Sequence, residues 1–180
     1  LKIPQLGVMP AMHRVEMSFM WQTMYDIRNG DSGWKTDQAT MGLVEKTDSD
    51  IASDEKDKRR NTVEIFRQAD NPSYQPIYAG EGVVEGVPAE WVVLLDADGE
   101  TICRLGFHAE DHTLVCQKYW GESPTGEGNL QKMFHDRAEH AGVSLPNRTV
   151  VSMNGQKVME LTVEERTVNG AIPEDAFTKP

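Results

Sequence analysis

The sequence predicts a mainly β fold of the α+β class, built on one large curved antiparallel sheet or a barrel with a helical insert. Three observations carry this. From Ile77 onward the chain breaks into short runs separated by Gly86, Asp96-Ala97-Asp98-Gly99, Ala109-Glu110-Asp111, Gly121 to Gly128 and Asn154-Gly155, a spacing of turn residues typical of all-antiparallel folds. Within runs the side chains alternate, as where Met159, Leu161 and Val163 interleave with Val158, Glu160, Thr162 and Glu164, the mark of a strand wet on one side. The hydrophobic share is 38% and the mean hydropathy −0.53, which fits a sheet with a large wet surface better than a compact helical core.

Taken in order, Met12 to Arg28 mixes apolar and polar residues with little helical period, and Asn29-Gly30 follows it. Asn-Gly tolerates positive φ at both positions and so marks a hairpin. A short strand from Gly33 to Thr36 then brings Trp21, Tyr25 and Trp34 around that hairpin. The run from Glu45 to Asn61 holds one large apolar residue, Ile51, with acids first and Lys56, Lys58, Arg59 and Arg60 later. That order suits a helix dipole. With Ser49 or Ser53 as cap and Val63, Phe66 and Ala69 as a narrow stripe, a surface helix is expected within 50–68, ending before Asn71-Pro72; a mobile acidic loop is the other reading. Expected strands follow at 78–86, 88–95, 100–108, 112–120, 129–140, 145–153 and 156–168, although Leu130, Met133, Phe134, Arg137, Ala138 and Ala141 also fit one helix face. Residues 1–180 are expected to form one domain. Because the chain opens on Leu1-Lys2-Ile3-Pro4 without an initiator Met or an apolar leader, it reads as a fragment or mature portion of a longer chain.

Turn geometry gives expected pairings. A three-residue loop Ala97-Asp98-Gly99, with Gly99 left-handed, closes Asp96 on Glu100, so Val93 would face Cys103 and Trp91 would face Leu105. A two-residue loop at Ala109-Glu110 would set Phe107 against His112, Leu105 against Leu114, and Cys103 against Cys116. One face then reads Trp91, Val93, Cys103, Leu105, Phe107, Leu114, Cys116; the other reads Val92, Leu94, Ile102, Arg104, Val115, Gln117, Tyr119, and the helix near 50–68 is the expected cover for it. A slip of one residue would exchange the faces. The two cysteines are therefore disulfide candidates, since directly opposed Cβ atoms lie near bridging distance. A bridge would fit an oxidising compartment; two small buried hydrophobes are the alternative.

Lys plus Arg number 18 and Asp plus Glu 29, a net charge of −11, which argues against phosphate backbones such as nucleic acid and against anionic lipid as partners, but not against a neutral or apolar ligand. No apolar run is long enough for a membrane span. His108, Asp111 and His112 cluster at one hairpin tip but lack an evident third strong ligand, so no metal and no cofactor is expected. His135, Asp136, Glu139 and His140 lack the spacing of a zinc protease helix, and Gly80-Glu81-Gly82 lacks the third glycine of a dinucleotide fingerprint. No nucleophile elbow or phosphate loop is present. Met9, Met12, Met17, Met20, Met24 and Met41 crowd the first quarter, either as core filling or as an adaptable apolar surface.

The order of these pieces resembles the half-barrel superfamily of outer-membrane lipoprotein carrier and sorting proteins. The matching residues are Asn29-Gly30 with Gly33-Trp34, the polar helical insert, the stretch from Gly80 to Val93 with Trp91 at an aromatic position, Asp98-Gly99, Phe107-His108 to Leu114, the run from Gly142 to Pro146, and the run from Val168 to Phe177. The resemblance implies an open half-barrel with a helical lid, and a concave apolar face that takes an acyl chain, lipid or lipoprotein in the periplasm or another extracytoplasmic space of the cell envelope. On that footing Trp91, Val93, Leu105, Phe107 and Leu114 would line the ligand site, with Met159, Leu161 and Val163 extending it. Burial of apolar area would supply the affinity. The expected role is a carrier or binding module and not an enzyme; the alternative is an accessory protein-interaction domain of a larger envelope protein such as a peptidase.

Overall fold

The computed structural model describes residues 5–8, 12–19, 22–123 and 126–180. Met9, Met20 and Trp21 lie outside the described residues, as does part of the expected break between Gly121 and Gly128. The chain divides into two compact units, Leu1–Arg67 with Ala171–Pro180, and Gln68–Gly170.

The first unit is a five-stranded antiparallel meander, β1 (Gln5–Val8), β2 (Met12–Phe19), β3 (Gln22–Asn29), β4 (Ser32–Thr36) and β5 (Leu43–Glu45), in that spatial order. The hairpin after Asn29 is the expected one, with Asn29 opposite Ser32 and Gly30 at φ +63°. Ile27 lies opposite Trp34. Ile27, Ala176 and Phe177 form a buried cluster joined by Met12, Tyr25, Trp34 and Ile172, so the C-terminal segment covers one face of this sheet. Arg14 Nη1 donates to Ala176 O at 2.9 Å.

Two helices follow instead of one, α1 (Asp48–Arg59) and α2 (Thr62–Arg67). Thr47 caps α1, and not Ser49 or Ser53: its side chain accepts from the Asp50 N–H while the Asp50 carboxylate accepts from the Thr47 N–H. No residue of α1 is buried. A helix without an apolar stripe needs another anchor, and α1 finds it in ion pairs to β3, β4 and the residue after β5.

The second unit is a seven-stranded antiparallel sheet: β6 (Gln75–Val84), β7 (Val87–Leu95), β8 (Thr101–His108), β9 (Leu114–Ser123), β10 (Gly126–His140), β11 (Val143–Met153) and β12 (Gln156–Thr162), neighbours in space as in sequence. It does not close: β6 and β12 are its two edges. The segment that also fitted a helix, 130–141, is strand through His140.

The registers differ from the expected ones, and the difference is local. The loop after Asp96 forms as expected, with the Asp96 N–H donating to Glu100 O at 2.9 Å and Gly99 at φ +83°. Leu95 lies opposite Thr101, but the pairing then shifts, and Leu94 opposes Cys103, Val93 opposes Arg104, and Trp91 opposes Gly106. One extra residue on β8, a β-bulge, moves every side chain beyond it to the other partner. The next loop spans four residues and not two: His108 N–H donates to Thr113 O at 2.8 Å, and His112 takes φ +54°. With a second bulge, Phe107 opposes Leu114 while Gly106 opposes Cys116. The Asn154-Gly155 hairpin is as expected, joining Met153 to Gln156.

Candidate functional site

Alternation along each strand and the registers across them define two faces of the seven-stranded sheet. The Leu105 face carries Leu94, Cys103, Leu105, Phe107 and Leu114, and continues through Gln117, Lys132 and Val151 to Met159 and Leu161. Leu105 is 3% exposed and Met159 40%, so the face runs from covered to open across the strands. The Trp91 face carries Ala89, Trp91, Gly106, Cys116, Met133 and Val150, with a buried cluster of Val84, Ala89, Trp91, Cys116 and Met133. The Trp91 ring needs the space that glycine leaves. A Cβ at Gly106 would lie 3.1 Å from ring atoms Cη2 and Cζ3, and one at Gly82 would lie 2.8 Å from Nε1.

The residues expected to line one ligand surface are thus divided. Leu105, Phe107, Leu114, Met159 and Leu161 share a face. Trp91 and Val93 stand on the opposite one, Val93 beside Arg104. Val163 follows β12 and donates its N–H to Asn147 O at 2.7 Å. The cysteines are divided in the same way: Cys103 opposes Leu94 and Cys116 opposes Gly106, on opposite faces, both buried and neither in a disulfide. The bulges prevent the expected bridge, because the pairing now sets the two cysteines three residues out of step. Burial pushes the Cys116 thiol up to about 11.

The histidine tip does not converge on one point. His108 Nδ1 lies 3.2 Å from Asp111 Oδ1, whereas His112 Nδ1 lies 3.2 Å from Glu90 Oε2. Asp136 pairs with Arg148 at 2.7 Å and His140 with Asn147 at 3.3 Å.

Sequence reasoning missed the polar network under α1. One face of the five-stranded sheet presents His13, Asp26, Arg28, Lys35 and Lys46, and α1 answers with Asp50, Asp54 and Glu55. Lys46 Nζ, on a side chain 1% exposed, donates to Asp26 Oδ1 at 2.8 Å and to Asp54 Oδ2 at 2.7 Å. His13 Nε2 lies 2.6 Å from Asp26 Oδ1. Arg28 pairs with Glu55 and Lys35 with Asp50, both at 2.6 Å. Burial acts to raise the Asp26 carboxyl, but the hydrogen bonds from His13 and Lys46 outweigh it and hold it below the usual range. The Lys35 ammonium and the Thr47 N–H hold Asp50 at about 2. His13, Asp26 and Asp54 offer ligand atoms within 4.8 Å of one another, and the Lys46 ammonium bridges the two carboxylates by donating to one oxygen of each, so the group works as a clamp for α1. The acids of α1, spaced four and five residues apart at Asp50, Asp54 and Glu55, were the legible signal.

Against known proteins, no family model and no curated protein matches the sequence. Solved structures do. A domain from Vibrio parahaemolyticus assigned as an outer membrane lipoprotein-sorting protein aligns with a TM-score of 0.54 at 10% identity, covering 97% of this chain and 79% of that one. The fold is LolA-like. Two others align less closely: a LolA superfamily protein from Nitrosomonas europaea, with a TM-score of 0.48 at 10% identity over 93% of this chain and 76% of its own, and a DUF1329 family protein from Desulfovibrio piger, at 0.44 and 9% over 92% and 80%. The LolA-like match bears out the fold expected from the Asn29-Gly30, Gly80–Val93 and Val168–Phe177 pieces. Among the described residues no helix is long and apolar enough to cross a membrane.

Proposed function

We propose that the chain is an extracytoplasmic binding or carrier module of the cell envelope, taking the acyl chain of a lipid or lipoprotein on the Leu105 face of its open sheet. The reading takes residues 1–180 as one module and assigns it no catalytic step and no cofactor. The observation that carries it is the LolA-like fold joined to a sheet face whose apolar residues pass from buried Leu105 and Leu114 to half-buried Leu161 and exposed Met159. An acyl chain laid against such a face gains about 25 cal/mol for each Å² of apolar area taken from water. Trp91 belongs to the other face, so its fluorescence is a poor reporter.

The test is uptake of N-phenylnaphthylamine and its displacement by palmitate. Dye fluorescence should rise on mixing with the protein and fall as palmitate is added. Met159→Glu and Leu161→Glu should both weaken displacement. If no dye is taken up, or if both variants behave as the parent, the face carries no apolar ligand, and the accessory protein-interaction reading takes its place.

A further inference from the structure

The Trp91 face holds a second feature that the acyl-chain reading leaves unused. One row of directly opposed residues crosses all the strands of the sheet: Ile77, Val93, Arg104, Lys118, Gln131, Ser152 and Lys157. The row contains no acid, in a chain whose net charge is −11. Arg104 and Lys118 face each other across β8 and β9. Like charges so placed destabilise a sheet. Both side chains are exposed. Neither has an acidic partner among the described residues; instead both lie over the Trp91 ring, the Arg104 guanidinium at 5.6 Å and the Lys118 ammonium at 4.8 Å from its centroid. The ring thus holds two cationic heads side by side and facing water. Large apolar side chains flank them on the same face: Trp120, two residues along β9 from Lys118, is 59% exposed, and Ile77, at the β6 end of the row, is 50% exposed.

We infer that this row is a docking surface for an anionic lipid surface, on which Arg104 and Lys118 take headgroup phosphate oxygens while Trp120 and Ile77 rest at the level of the headgroups. Charge complementarity decides the occupant. A paired cation site without an internal acid fits an anion, and exposed Trp beside basic side chains is the pattern of a membrane interface. The acid excess of the chain works against this at long range, but screening confines that repulsion to about 8 Å at physiological salt, and the row itself is acid-free. The inference is independent of the Leu105 face, which points the other way.

The experiment is co-sedimentation of the purified chain with vesicles of phosphatidylglycerol and phosphatidylcholine, compared with vesicles of phosphatidylcholine alone. Binding should require phosphatidylglycerol and weaken as NaCl is raised. Each cation is worth about a fivefold change in partition, so Arg104→Gln or Lys118→Gln should lower it about fivefold and the double variant roughly twenty-five-fold. Lys56→Gln on α1, an equal change of net charge, should leave it unchanged, and the double variant should still take up N-phenylnaphthylamine. Equal binding to both vesicle types overturns the inference, as does full binding by a double variant that is folded by circular dichroism. Saturation by inorganic phosphate or an acidic peptide without any vesicle binding overturns it too.

Discussion

Two carboxylates on the same sheet face should have opposite consequences. Leu105 and Met159 belong to one row, linked through Gln117, Lys132 and Val151. At position 105, 3% exposed, Leu105→Glu gives up about 2–3 kcal/mol of apolar burial and places an acid where an unpaired charge costs several kcal/mol more. Lys132 cannot rescue it, because it stands two strands away, about 10 Å. The total exceeds about 4 kcal/mol, a large part of a typical domain stability of about 5–15 kcal/mol. At an m-value of about 2–3 kcal/mol/M it shifts the urea midpoint by more than about 1 M. At position 159, 40% exposed, Met159→Glu keeps its carboxylate hydrated and should cost under about 1 kcal/mol, while still weakening palmitate binding. Urea unfolding followed by tryptophan fluorescence reads the first effect, and dye displacement the second. A stable Leu105→Glu variant, or a Met159→Glu variant that unfolds, would refute the facing on which the proposed site rests.

Three more outcomes follow from the geometry. With Cys103 and Cys116 buried on opposite faces and the Cys116 thiol pushed up to about 11, both should resist iodoacetamide at pH 7 until urea is added, and unreduced peptide mapping should find no bridge between them; a bridged peptide would overturn the register. Gly106→Val should destabilise by about 1–3 kcal/mol through overpacking against the Trp91 ring and Cys116, so an unchanged urea midpoint would place Trp91 elsewhere. Asp26, Asp50 and Glu55 all have folded values below their ordinary ones; their contribution is present above about pH 4 and is lost as pH falls toward 2, so helical circular dichroism from α1 should decline across that window, and equal stability at pH 6 and pH 2.5 would refute the clamp.

The fold was legible because turns announce themselves. Asn29-Gly30, Asp98-Gly99 and Asn154-Gly155 each mark a hairpin in sequence, and each forms one. The facing was not legible, because a β-bulge has no comparable signal. The loop after Asp96 closes as expected, yet one extra residue before Cys103 turns the far end of β7 over relative to β8. The two-residue loop expected at Ala109-Glu110 is four residues long because His112 accepts a left-handed conformation, which non-glycine residues adopt uncommonly. Such local choices split Trp91 and Val93 from Leu105. The clamp under α1 escaped notice for a different reason: its partners His13, Asp26, Lys46 and Asp54 are brought together only by strand pairing and by the docking of α1.

The division of the apolar set between two faces bears on what the sheet can do. A carrier that laid its cargo on the face of Arg104 and Lys118 would expose an acyl chain to two adjacent cations. Here Val93 leads across the strands to Arg104 and Lys118, whereas Leu105 leads to Gln117, Lys132 and Val151, where Lys132 is a lone cation with its ammonium 5.1 Å from the centroid of the Tyr119 ring. The strand carries both programmes in alternation, one residue to each side, and Ile102 is the extra residue of the bulge. Deleting Ile102 makes Thr101 and Cys103 neighbours, so the ladder runs unbroken with Leu94 still opposite Cys103, Val93 opposite Arg104 and Trp91 opposite Gly106. Leu105 therefore keeps its face. The deletion should destabilise the sheet about as much as Ile102→Ala, since each forfeits about 2–5 kcal/mol of side-chain packing. Comparing urea midpoints of the two variants checks this; a deletion far less stable than Ile102→Ala would mean that Ile102 is not the extra residue.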